Sequence, residues 1–393
     1  MSSAIRLPAA LKLPALTSIR PRIQITAQQQ RFLLRAALLA LGVRIALLIV
    51  GYVTGYLIIV REEVAAWDVI HETFQRWDAN NFEKIVEHGY VNSGDEANYI
   101  VYLPMFPLTV WLVKFLIPSF FVSALLVSAV SSVAAGYFLQ MLMTTDGSDE
   151  EEASRGLWFF FVFPTAYILA VPYTEALFMG TMMGSFANAR RGNWVWCGLL
   201  GGLACATRIQ GLAIIPALGI EAIHREWWEA PKKAFWLVLV PAGFGAYMLL
   251  NYIVAGDPLQ FIATQRDHWD QHAVAPWETV RDTYLWLVQG SPGSTRLSIY
   301  EFRAAFLLLS VVLLLIGARW LRPSYQVFAW VSILFFLSSS FQISIPRYTL
   351  MLFPLFLVMA RLGANQTANQ SMLTVSAVLM GATFVLYATR FGF

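Results

Sequence analysis

The side chains of this chain that could do chemistry fall into four short blocks: Arg76-Trp77-Asp78; Phe163-Pro164-Thr165 with Pro172-Tyr173-Thr174-Glu175; Thr207-Arg208-Ile209-Gln210-Gly211; and Pro346-Arg347-Tyr348. Each lies at the edge of an apolar run, where an ionisable group is costly and usually faces a cavity or a partner instead of acyl chains. Asp78 is the candidate base, because a carboxylate just beyond the first apolar run can take a proton from a hydroxyl. Arg208 and Arg347 are candidate anion ligands, since a guanidinium fork matches phosphate oxygens better than an ammonium does. Snorkelling to headgroups, or pairing with Glu175 or Asp78, is the alternative for either arginine. Glu175 opens a helical run and reads as a complement to the helix dipole or as an acceptor for ligand hydroxyls. Arg76, Trp77, Tyr173 and Gln210 complete this candidate set.

The elements that must hold these blocks are set by composition. Of 393 residues, 58% are hydrophobic and 13% charged, and the mean hydropathy is +0.59, more apolar surface than a water-soluble core of this length can hide. The expected fold is therefore an all-α polytopic membrane protein, because helices satisfy their own backbone in lipid and the long Leu/Val/Phe runs lack the alternation of a barrel. Hydropathy places candidate helices at 36–60, 98–117, 119–143, 157–171, 175–189, 194–206, 209–222, 235–254, 303–318, 325–341, 348–362 and 372–389. Basic residues at the N-terminus, Arg190-Arg191, His224 to Lys233, Arg319 to Arg322 and Arg361 mark the cytoplasmic side. Alternating crossings then misplace Arg190-Arg191, so one segment fails to cross; the Pro-broken stretches 157–175 and 98–107 are the two suspects. The chain divides into a cytoplasmic tail, 1–35, and one transmembrane domain, 36–393, of about 11–12 helices. Its extracytoplasmic loops are 61–97, 255–302 and 342–347.

In the first loop Trp67, Ile70, Phe74 and Trp77 recur at helical spacing, the pattern of an interfacial helix moored by aromatic anchors. The second loop carries Gln265-Arg266-Asp267-His268-Trp269 and a Gly/Pro/Ser stretch at 290–294. Loops of that length tend to be functional, so Arg266 and His268 are candidate ligands of a cap over the site, or else a solvated surface. The net charge of +3 is dispersed, which gives no footprint for nucleic acid. Cys197 and Cys205 share one apolar stretch and read as packing residues. Five scattered histidines give no metal pattern, and Walker and dinucleotide glycine motifs are missing, so no metal or other cofactor is expected. Asn365-Gln366-Thr367 and Asn369-Gln370-Ser371 match the glycosylation pattern but fall on the expected cytoplasmic side.

At these blocks the chain resembles the GT-C superfamily of integral-membrane glycosyltransferases, and within it the PIG-V family of GPI mannosyltransferase II. Arg76-Trp77-Asp78 with Gly89-Tyr90 is similar to the family's first-loop Arg-Trp-Asp block, and Leu103-Pro104-Met105-Phe106-Pro107 to its Phe-Phe-Pro-Leu-x-Pro block. Phe163-Pro164-Thr165 and Pro172-Tyr173-Thr174-Glu175 resemble its Phe-Pro-Thr-Ser and Pro-Tyr-Thr-Glu blocks, and Thr207-Arg208 to Gly211 its Thr-Arg-x-x-Gly turn. The four follow one another in the family's order. Tyr102-Leu103 and Asn80-Asn81 depart from it, standing where the family has aromatic residues or histidine. The resemblance implies a GT-C-type bundle and an inverting transferase that moves a hexose, mannose in the family, from a polyprenyl- or dolichyl-phosphate donor to a hydroxyl of a glycolipid, glycan or protein at the extracytoplasmic face. Asp78 inherits the catalytic role. A bacterial plasma membrane, or the endoplasmic reticulum membrane in a eukaryote, is the implied location. A transporter or flippase of an anionic or lipid-linked substrate is the alternative from another class, since a bundle with buried arginines and an acid is also a translocation path.

Overall fold

Among the described residues eleven runs of helix pass between two charged faces of a bundle, and the loops at one of those faces hold the four blocks. The computed structural model describes residues 26–59, 65–225, 230–289, 295–340 and 344–389; the stretch 290–294 and residues 342–343 of the third loop lie outside them. The protein is an all-helical polytopic membrane protein, 82% helix. Among the described residues five helices are long and apolar enough to cross a membrane.

The first pass, α1 (Ala27–Thr54), begins at a reciprocal capping box in which Thr26 and Gln29 each bond the other's backbone N–H. Arg31 and Arg35 therefore lie in its opening turns, inside a helix and not in a tail. Two short helices follow, α2 (Ala66–Phe74) and α3 (Asp78–His88), then a 3-10 turn, Asp95–Val101, and α4 (Met105–Lys114). The apolar stripe of α2 is not laid on lipid as its spacing predicts. Phe74 is 2% exposed, packed on Phe384 at 5.3 Å, while Trp67 remains outside.

The expected crossing at 98–117 does not exist. Pro104 and Pro107 bracket the start of a ten-residue helix, too short to span, and both its ends stay with the first loop: Tyr102 bonds Asp78, and Lys114 bonds Glu87 of α3. This segment, of the two suspects, removes the extra crossing.

Then come α5 (Phe120–Thr145), α6 (Glu150–Val162), α7 (Glu175–Arg190), α8 (Trp194–Thr207) and α9 (Ile214–Arg225). The stretch expected as one helix at 157–171 is α6 followed by bent backbone at 163–174. That bend is buried, and side chains of three other elements satisfy its backbone. Arg44 of α1 donates to the Leu169 carbonyl at 2.6 Å and Ser128 of α5 to Val171 at 3.0 Å; Thr383 bonds the Pro164 carbonyl. Thr165 returns a bond to the Pro346 carbonyl at 3.1 Å. Irregular backbone at membrane depth is tolerated where the protein satisfies it in this way.

The remainder runs α10 (Ala230–Leu237), α11 (Leu239–Ala255), the loop helices α12 (Gln260–Trp269) and α13 (Pro276–Gln289), α14 (Thr295–Ile316), α15 (Pro323–Leu337), α16 (Ile345–Thr349), α17 (Pro354–Leu362) and α18 (Gln366–Ala388). The segment expected as one helix at 348–362 is two, α17 starting afresh with Pro354 in its first turn, where a missing N–H costs nothing. The passes are thus α1, α5, α6, α7, α8, α9, α10 with α11, α14, α15, α16 with α17, and α18. Helices α8 and α11 touch backbone to backbone: a Cβ built on Gly243 would meet the Gly202 carbonyl oxygen at 1.9 Å, the close approach that small residues allow between membrane helices.

Ion pairs define the face away from the four blocks. Arg31 meets Glu150 at 2.6 Å and Arg361 meets Glu152 at 3.0 Å. Deeper in, Arg190 bridges Asp146 and Glu221, each at 2.8 Å, and Arg322 reaches Glu221 at 3.1 Å. These contacts tie the ends of α1, α5, α6, α7, α9, α15 and α17 together at one level.

Candidate functional site

Asp78 opens α3 directly after a backbone irregularity. Trp77 has φ 52 and ψ −119, a left-handed setting that costs an aromatic residue roughly 1 to 3 kcal/mol and persists only where surroundings enforce it. The kink turns Trp77 and Asp78 together onto the wall of a cavity of about 420 Å3 at the block-bearing face. Tyr173 enforces it from behind, its phenol donating to the Arg76 carbonyl at 3.1 Å.

The Asp78 carboxylate is held at both oxygens. Arg347 Nη1 donates to Oδ2 at 2.8 Å. The Tyr102 phenol donates to Oδ1 at 3.3 Å and itself accepts from Asn81 Nδ2 at 2.7 Å. Burial pushes the Tyr102 phenol well above its ordinary range, so it remains an O–H donor at any physiological pH. Tyr102 and Asn81 are thus bonded to each other, and Tyr102 to the candidate base.

Glu175, fully buried at 0% exposure, lies behind the wall, where its Oε1 takes both arginines: Arg208 Nη1 at 2.8 Å, and Arg347 through Nε. Arg208 Nη1 also donates to Thr174 Oγ1 at 2.6 Å, and its Nε to Gln210 at 3.4 Å. The guanidiniums rest on rings, Arg347 over Tyr173 at 4.5 Å and Arg208 over Tyr348 at 5.5 Å, an arrangement that fixes their planes and adds cation–π attraction. The Nη2 of each arginine takes part in none of these bonds. Two carboxylates and two guanidiniums make the set neutral, and the two arginines reach the cavity from one side.

The turn that presents Arg208 depends on Gly211. A Cβ there would meet the backbone of Cys205 at 2.6 to 2.7 Å, so only glycine lets the 3-10 turn Ile209–Ala213 fold back against α8.

Asp78, Trp77, Tyr173, Arg208, Gln210 and Arg347 all line the cavity. Arg76, 5% exposed, sits behind it with Glu175. Glu175 is thus placed to orient arginines, not to accept from a ligand, and it starts α7 as the dipole argument expects. Arg266 and His268 do not reach the cavity: they lie on the exposed face of α12, and the adjacent Asp267 carboxylate, bonded to Arg266 at 2.8 Å, holds that guanidinium above its ordinary range. Their neighbours Gln265, Trp269 and Gln271 line it instead. The signal for this was in the sequence, since Gln265 and Trp269 are four apart and share a helix face.

The loop bearing them is anchored on two sides. Trp269 Nε1 donates to the Asn98 carbonyl at 3.4 Å, and its ring meets Tyr102 edge-on at 6.0 Å. Ala273 bridges Ser339, with Ser340 N–H donating to the His272 carbonyl at 3.0 Å. Comparison with family models, with curated protein sequences and with solved structures gave no match.

Proposed function

We propose that the protein is an inverting glycosyltransferase that moves a hexose from a polyprenyl- or dolichyl-phosphate carrier to a hydroxyl acceptor at the extracytoplasmic face, with mannose the sugar that the resemblance to the PIG-V family favours. The observation that carries this reading is the pairing of Asp78 with Arg347 at 2.8 Å on a cavity wall that also presents Arg208: a base and two anion ligands within one small site.

In this mechanism Asp78 takes the proton of the acceptor hydroxyl while that oxygen attacks the anomeric carbon. The bond to the acceptor forms as the bond to the carrier's phosphate oxygen breaks on the opposite face, and the lipid phosphate leaves with the electron pair. Phosphate is a good leaving group, so one base suffices; hydrolysis by inversion needs a second carboxylic acid to protonate its leaving oxygen. Arg208 and Arg347 take up the charge on the departing phosphate through their remaining N–H groups, worth about 2 to 4 kcal/mol for each well-placed donor. An arriving phosphate competes with Asp78 for Arg347. Glu175 keeps both guanidiniums in register throughout. Acceptor and carrier tail approach from the membrane side of the same face.

The decisive experiment measures sugar transfer from polyprenyl-phosphate-mannose by purified Asp78→Asn whose melting temperature matches the parent. Loss of a general base should lower turnover by about 10²- to 10⁴-fold; near-normal turnover removes Asp78 from the role. The transporter reading draws on one observation, the second charged set of Asp146, Arg190, Glu221 and Arg322 at the far end of α7, which resembles an opposing gate. Flux of labelled lipid-linked sugar into empty proteoliposomes, without product formation, would establish that reading in place of transfer.

A further inference from the structure

The residues lining the cavity are of two chemical kinds: Asp78, Arg208 and Arg347 are charged, whereas Gln265, Trp269 and Gln271, which the loop after α11 supplies, are neutral. Gln265 and Trp269, one turn apart on α12, face inward while the three residues between them are exposed. Asp270 then adopts a left-handed conformation, φ 50, and reverses the chain. The turn closes with Gln271 N–H donating to the Gln265 carbonyl at 2.9 Å, which brings a second amide back to the same rim.

Both amides are half-buried, and among the described residues neither side chain enters a hydrogen bond with the protein. A half-buried amide left without a partner is a cost that a ligand or water must offset. Trp269 differs, because its indole N–H is committed to Asn98, leaving only apolar ring surface to offer the cavity. The two anchor points, at Asn98 and at Ser339, hold this neutral set in place without substrate.

We infer that Gln265, Trp269 and Gln271 form the surface that reads the hexosyl ring of the donor, so that the α12 loop sets sugar specificity while the arginines hold the phosphate. This rests on the transferase reading for its choice of ligand. An amide carries both donors and an acceptor, as does a ring hydroxyl pair, and a flat apolar surface between two amides suits a ring that is polar at its rim and apolar on its face. A charged set and a neutral set on the lining of one cavity call for a ligand with an anionic end and an uncharged, polyhydroxylated end. The volume of about 420 Å3 lies near the low end of small-ligand sites, about 300 to 1,000 Å3, which accommodates one hexosyl phosphate.

The test is binding, not turnover. The purified full-length chain is titrated calorimetrically with inorganic phosphate and with soluble hexose 1-phosphates that differ in the configuration of one hydroxyl. The parent should hold at least one hexose 1-phosphate more tightly than phosphate and should separate the epimers. Gln265→Ala and Gln271→Ala should each erase up to about tenfold of that preference, the contribution of one neutral hydrogen bond, with phosphate affinity intact. Arg208→Ala should weaken every ligand, phosphate included. If an alanine variant melts early, Gln265→Asn and Gln271→Asn, which shorten the amide without removing it, take its place and should lower the preference in the same way. Glutamine variants that keep the whole sugar preference, or a parent that binds hexose 1-phosphates no better than phosphate, overturn the inference. Sugar preference without transfer from a lipid-linked donor would leave this surface standing and remove the transferase reading.

Discussion

At the scale of single residues, the site is organised by a carboxylate that never touches the cavity. Glu175 pairs with both Arg208 and Arg347 through one oxygen, so the two guanidiniums sit side by side as a fixed pair. Removing one partner from a buried ionic set leaves a charge uncompensated, at about 3 to 5 kcal/mol. Glu175→Gln should therefore lower stability by that order, read as an earlier melting transition in detergent. An anion that binds the native state shifts the equilibrium back in proportion to its occupancy, so millimolar phosphate should restore more of the melting temperature in Glu175→Gln than in the parent. Equal phosphate responses in the two proteins would mean that Glu175 does not hold the arginines for an anion. The Tyr102 phenol supplies Asp78 with a second donor beside Arg347, and Asn81 orients it.

At the scale of elements, the bent stretch 163–174 is what brings Tyr173 and Thr174 to the cavity and Glu175 behind it, and Arg44 is its principal brace. That guanidinium bonds the Leu169 carbonyl at 2.6 Å, Ser132 Oγ at 2.8 Å and the Ala40 carbonyl at 3.2 Å. Arg44→Met keeps much of the apolar volume and orphans Leu169, a loss of about 1 to 3 kcal/mol for an unsatisfied buried carbonyl. Hydrogen exchange of amides in 163–174 should quicken more than exchange in α5 or α18. Uniform protection in the variant would show that the bend is held by packing alone. The bend was legible in part, since Pro164 and Pro172 interrupt the apolar run. That α6 begins as early as Glu150 was not, because Asp149 caps it within an acidic stretch that hydropathy reads as a loop. The break at 98–117 was likewise visible as Pro104 and Pro107, but only contacts of Tyr102 and Lys114 with the first loop show that the chain returns to the face it left.

For the molecule as a whole, two charged sets stand at opposite ends of one bundle, joined through α7, which carries Glu175 at its start and Arg190 at its end. The far set serves as a clasp: Glu221, 5% exposed, accepts from Arg190, Arg322 and Ser324, and Tyr325 donates to Asp146 at 2.6 Å. Glu221→Gln should cost about 3 to 5 kcal/mol in thermal melting, while the molecules that remain folded keep parental kinetics of transfer. Altered movement of substrate across a bilayer by this variant would identify the far set as a gate instead.

What the sequence determined by itself was the solvent and the class of structure: a chain 58% hydrophobic must bury its surface in lipid, and in lipid the backbone leaves helices as its solution. It also placed the four candidate blocks at the ends of apolar runs, where an ionisable group can be accommodated. The tertiary structure alone decided which charge answers which. Arg347 and Asp78 lie 269 residues apart, and Arg347 and Glu175 172 apart; no local spacing encodes such a pairing, since electrostatic attraction depends on distance in space. The same holds for the choice between Arg266 and Gln265, adjacent in the chain and divided only by which side of α12 packs against the first loop.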